Sequence, residues 1–234
     1  MNMISGADGC KEGWIVLTRD LDTGSVTWRV CRTARELFDS QPTPQIIALD
    51  IPIGLPDKGP RACDLEARKL LGPGRACCVF PAPIRPALFA TSYVEACQIH
   101  QRVDNKKMSR QAYGILKKIG DVDDVLRQDP ELCMRVHEVH PEISFYFLAG
   151  QQPLRYSKKS ELGREERCKL LEPVFGQWLQ AALLERKELH CAEDDLLDAF
   201  AALWTAERIA SGISHTIPAV PPRDTFGLRM EMVA

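Results

Sequence analysis

No two of the chain's nine cysteines stand in a C-x-x-C arrangement, so neither a zinc knuckle nor a thioredoxin-type dithiol is indicated. A glycine-rich phosphate loop is also missing: Gly6-x-x-Gly9 is far too sparse to be one. No stretch approaches the ~20 apolar residues that cross a bilayer, and Met1 to Gly9 has no basic region followed by an apolar core. The expectation is a cytoplasmic protein without a membrane partner, its odd count of thiols buried in a reducing compartment. Charge of one sign is lacking too. At a formal net charge of -2 and a pI near 6.2 the whole molecule is no trap for polyanions, and a nucleic acid would need a local patch. No internal repeat, low-complexity run or composition break appears, which leaves residues 1–234 as one domain.

What is present reads as an α/β chain. Met3 to Asp8, Trp14 to Thr18 and Val26 to Cys31 are strand-like, and the Asp and Gly of the 19–25 link suit a hairpin turn, giving a three-stranded antiparallel meander. Thr33 with Glu36 three residues on has capping-box spacing for a short helix. Gln45 to Asp50 is an apolar run ending in a carboxylate, as expected of a buried parallel strand whose C-terminal end faces a site. Two prolines and a glycine then lead out of the sheet into a mostly helical insertion over about 52–132, with helices at Arg61 to Leu71, Ser92 to Gln101 and Ser109 to Leu126. Met134 to His140 alternates as a strand, placing Glu138 and His140 on one side. Helices follow at Ser144 to Leu148, Arg164 to Phe175, Gln177 to Leu189 and Asp194 to Ser211, and the proline-rich tail is read as irregular.

The candidate site residues are acids. Asp8 and Asp50 each close an apolar run at a strand end, where α/β sites form, although an aspartate there also suits a simple turn. Glu138, amid alternating apolar residues, faces a burial cost unless it is paired or metal-bound, with Lys158, Lys159 or His140 as its plainest partners. Asp195 and Asp198 lie three apart on the last helix and project over one patch; acids at a helix N-terminus also simply complement its dipole. Crowded carboxylates repel, so a fold that gathers them ordinarily uses divalent cations to hold them. Lys11 is a candidate for charge stabilisation and His140 for orienting a water. Lys158 and Lys159 could contact phosphate, or form a solvated loop.

Six blocks in series carry a resemblance: Gly6-Ala7-Asp8-Gly9-Cys10-Lys11-x-Gly13-Trp14, Asp50-Ile51-Pro52-Ile53-Gly54-Leu55-Pro56, Val79-Phe80-Pro81-x-Pro83, Ser109-x-Gln111, Glu138-Val139-His140-Pro141-Glu142 and Asp194-Asp195-x-x-Asp198-Ala199. They resemble the family known as domain of unknown function 429, regarded as a predicted nuclease with a ribonuclease H-like fold. The resemblance implies a mixed sheet of antiparallel meander and parallel strands flanked by helices. It also implies that Asp8, Asp50, Glu138 and Asp195 or Asp198 could hold two Mg²⁺ or Mn²⁺ ions about 3.5 to 4 Å apart for in-line phosphoester hydrolysis, acting on nucleic acid or a nucleotide. Oxygen-only ligation favours those ions over zinc. Two rivals stand beside this reading. One is a non-catalytic binding protein that keeps the acidic pocket. The other is a nucleotide-binding relative of the actin and sugar-kinase superfamily, against which the absence of duplication and of glycine-rich hairpins counts.

Overall fold

Alternation along the first strand sends its side chains to two different cores, and that division sets up everything else. The computed structural model describes residues 2–234. Strands β1 (Met3–Cys10), β2 (Gly13–Asp20) and β3 (Val26–Cys31) form the expected antiparallel meander. Helix α1 (Ala34–Phe38) follows, with the Thr33 side chain accepting from the Glu36 N–H as its cap. Strand β4 (Ile46–Leu49) pairs parallel with β1, and β5 (Val136–Glu138) parallel with β4, completing one mixed sheet in the order β3-β2-β1-β4-β5. The fold is α/β, with helices on both faces of this sheet.

Between β4 and β5 run α2 (Ala62–Arg75), α3 (Tyr93–Asp104), α4 (Arg110–Gly114), α5 (Leu116–Gln128) and α6 (Pro130–Arg135). After β5 come α7 (Pro141–Leu148), α8 (Glu161–Phe175), α9 (Gln177–Glu185) and α10 (Glu193–Ala210), then a two-stranded ribbon of β6 (Thr216–Ile217) and β7 (Met232–Val233). Ile4, Cys10, Ile15, Leu17 and Ala48 pack on one face with α8, α9 and α10. Ala7, Trp14, Val16, Ile47, Leu49 and Val136 pack on the other with α1, α5 and α6. No helix among the described residues is long and apolar enough to cross a membrane.

Helix α10 lies directly on β1. A Cβ at Gly6 would stand 2.0 Å from the Leu203 amide nitrogen and 2.7 Å from the Ala199 carbonyl oxygen, so only glycine permits this approach. Ala199, Ala202 and Ala206 are fully buried in the same contact, small enough to bring helix and sheet backbones close.

Three sequence expectations give way. Met134 to His140 is not a seven-residue strand: Asp129 caps α6, accepting from the Leu132 N–H, Pro130 starts it, and the helix persists to Arg135. Met134 lies in that helix and is 67% exposed, and only Val136–Glu138 pairs in the sheet. The single helix over Ser109 to Leu126 is two, divided at Ile115. The tail is not wholly irregular, since β7 pairs with β6 and Val233 bridges to Val139.

Candidate metal centre

Pleat parity brings Asp8 and Asp50 to the same face. Asp8 shares the parity of Ile4 and Cys10, which face α10, and Asp50 that of Ala48. The Asp50 amide donates to the Ala7 carbonyl at 3.0 Å, so the chain leaves β4 with the two acids side by side. Asp198, in the second turn of α10, immediately precedes Ala199, whose carbonyl crowds Gly6; the close helix-to-strand contact therefore lowers its carboxylate onto the pair. Asp8, Asp50 and Asp198 each present an oxygen within 4.8 Å of the others.

Electrostatics make this gathering costly. Burial, then repulsion from Asp50 and Asp198, raises the Asp8 pKa well above the ordinary carboxylate range. Burial and then Asp198 push Asp50 up to about 8. Asp198 is raised by burial as well, although the Lys158 ammonium, 2.6 Å from its Oδ2, pulls it back. The other oxygen of Asp198, Oδ1, is buried and has no hydrogen-bond partner. A buried anionic oxygen without a donor is rare in a folded protein unless a ligand completes it. Carboxylate oxygens are hard donors suited to Mg²⁺ or Mn²⁺, so the residues present fit such an ion.

Lys158 is held in place by its loop. The Ser160 hydroxyl donates to the Ser157 carbonyl at 2.8 Å and accepts from the Gly163 amide at 3.1 Å, capping α8. A Cβ at Gly163 would come within 1.9 Å of that same Ser157 carbonyl oxygen. Lys159 continues outward to Asp194, 2.5 Å away.

The remaining candidates are placed differently. Glu138 has the parity of Val136, opposite to that of Asp8 and Asp50, yet at the end of β5 it still lines the same cavity, outside the group of three. Both its oxygens are taken by Arg61, at 2.6 and 2.7 Å, and the Ile53 amide donates to one of them at 2.6 Å. Burial raises Glu138 and Arg61 opposes it. Arg61 also binds Asp64 at 2.6 Å, and Asp64 accepts from the Ala82 amide at 3.0 Å, so this cluster is closed on itself. Asp195 sits one turn before Asp198, partly buried and outside the group of three; burial and then Asp194 raise it to about 6. Lys11 is exposed. His140 caps α7, its Nδ1 accepting from the Glu142 amide at 3.3 Å, and burial lowers its pKa, which keeps the ring neutral.

Sequence reasoning missed several participants. Lys118 of α5 donates to the carbonyls of Cys10 and Gly13 at 2.7 and 2.6 Å and fixes the β1–β2 turn beneath Asp8; nothing marks it out from its neighbour Lys117 in the sequence. Arg61 carried one signal, its spacing of three from Asp64 at a helix start. Arg75 and Arg167 both bind Glu142, and although burial alone would raise its pKa, the two guanidinium groups hold it below the usual value. The three acids open into a cavity of about 550 Å³, walled by Phe80, Gln111 and Lys118 of the insertion and by the Ser157–Lys159 loop.

No curated protein and no solved structure matches the chain. The family described as "Protein of unknown function (DUF429)" matches over residues 6–223, and the chain belongs to that family.

Proposed function

We propose that the protein is a divalent-metal-dependent phosphoester hydrolase, nuclease-like in its chemistry and built on a ribonuclease H-like plan. The observation that carries this reading is the group Asp8, Asp50 and Asp198, with its buried, unpartnered Asp198 Oδ1. The sheet order and the acid-bearing closing helix on the central strand support the ribonuclease H-like assignment. Bound Mg²⁺ or Mn²⁺ supplies a water of lowered pKa and polarises a phosphoryl oxygen. The chain's own residues do the rest. Asp8, Asp50 and Asp198 would hold the ion. Because all three are raised in its absence, loading it releases protons, and affinity climbs with pH. Lys158 and Lys118 place positive charge beside an arriving phosphate, and His140 offers a neutral ring at the cavity wall.

A cavity of about 550 Å³ falls in the range that encloses a small ligand, which suits a nucleotide or the end of a single strand. The test is cleavage of single-stranded, duplex, hybrid and branched nucleic acids and of dinucleotides with Mn²⁺. The expected result is Mn²⁺-dependent hydrolysis of at least one, reduced about 100-fold or more in Asp8→Asn and Asp50→Asn proteins that stay folded. No hydrolysis of any of them would remove the nuclease reading. The second reading, a metal-binding protein without turnover, draws on the Lys158 contact that already engages one Asp198 oxygen. It predicts Mn²⁺ binding without hydrolysis in the same samples.

A further inference from the structure

We infer that this centre takes a single divalent cation, with the Lys158 ammonium serving as its permanent second positive charge. The inference rests on the metal reading above and departs from the two-ion arrangement that the family resemblance implies. Asp198 is 1% exposed, and its two oxygens have different fates: Oδ2 is 2.6 Å from Lys158 Nζ, and Oδ1 has no partner. One carboxylate thus faces a built-in cation on one side and an unmet requirement on the other.

The carboxylates that a second ion would need are either committed to a cation of the chain or lie outside the group. Glu138 lines the same cavity, but Arg61 clasps it through both oxygens and it lies outside the group of three. Asp194 is 2.5 Å from Lys159. Asp195 lies outside the group whose oxygens come within 4.8 Å of each other.

Charge counting gives the same answer. Three carboxylates and one ammonium leave two negative charges, which one divalent ion cancels. A second would leave two positive charges in a pocket whose acids are each at least partly buried, at a cost that low local polarity magnifies. Lys158 is no accidental visitor to this group. Its loop is closed by the Ser157–Ser160 hydrogen bond and by Gly163, where a Cβ would strike the Ser157 carbonyl. The ammonium's role is neutralisation at a fixed position, with no proton transferred.

Full-length protein stripped with a chelator is titrated with Mn²⁺ alone, bound ion being counted by loss of the free-Mn²⁺ paramagnetic resonance signal and by calorimetry. One Mn²⁺ per chain is expected. In Lys158→Gln, removal of the competing cation tightens that binding by about tenfold or more, while Lys158→Arg keeps the wild-type affinity. Circular dichroism checks that each variant is folded. Two Mn²⁺ per wild-type chain would overturn the inference and leave the proposed hydrolase standing. Unchanged or weaker binding in Lys158→Gln would show that Lys158 is not part of the centre's charge balance. No binding to any of the three proteins would overturn both this inference and the metal reading beneath it.

Discussion

Two clusters of buried carboxylates near the C-terminal end of the sheet differ in how they are completed. Around Arg61, Glu138 and Asp64 face a guanidinium that meets them through several short hydrogen bonds, and backbone amides of Ile53 and Ala82 take up further lone pairs. Around Asp198, three acids share one ammonium, two of the three are driven far from their ordinary pKa, and one oxygen finds no donor at all. Glu138 and Asp64 in the first cluster and Asp8 and Asp198 in the second are all buried, so burial is not what separates structure from function here. The difference is completion: the first cluster satisfies itself, and the second is completed only by something from outside the chain.

The comparison can be broken most severely at Arg61. Arg61→Met would leave Glu138 and Asp64 buried without their cation, at a cost of about 3–5 kcal/mol by urea denaturation. Loss of much less would mean that the closed cluster is not the structural one.

Gly6→Ala attacks the other cluster indirectly, since a methyl group 2.0 Å from the Leu203 nitrogen must push α10 off β1. The expected loss is about 1–3 kcal/mol, with weaker Mn²⁺ binding because Asp198 moves away from Asp8 and Asp50. Destabilisation with unchanged Mn²⁺ affinity would separate the helix packing from the site.

A smaller effect comes from pH. In metal-free protein the folded Asp50 pKa, about 8, lies above its unfolded value near 4. The folded state therefore binds the extra proton, and the stability this confers is complete below pH ~4 and lost as pH rises through about 8. Wild type should fall relative to Asp50→Asn by about 1–2 kcal/mol across that window, less than full burial would give because Asp50 is partly exposed. Thermal melts of both proteins from pH 4 to 8.5 read the difference, and parallel curves would contradict the assignment of strain to this acid.

Much of the second cluster was legible in the sequence, because short-range pattern governs it. An apolar run ending in aspartate locates Asp8 and Asp50, and the long alanine-rich helix locates Asp198. The choice of Asp198 over Asp195 for the group of three was not legible, because it depends on the depth to which Gly6 lets α10 descend. Glu138 misled for a different reason. Alternation does place Glu138 in a strand, but the face it takes is set by the pairing of β5 with β4, which no local pattern shows. Its true partner, Arg61, is 77 residues away in the insertion, beyond any local pattern. Lys158 was visible as a basic loop residue, but its engagement with Asp198 depends on the fold that carries the loop across to α10.

The most direct test of the central claim is a crystal soaked with Mn²⁺ and measured for anomalous scattering. A peak bounded by Asp8, Asp50 and Asp198 is expected, and none between Glu138 and Arg61. A peak at Glu138, or no peak among the three aspartates at millimolar Mn²⁺ and pH 8, would contradict it.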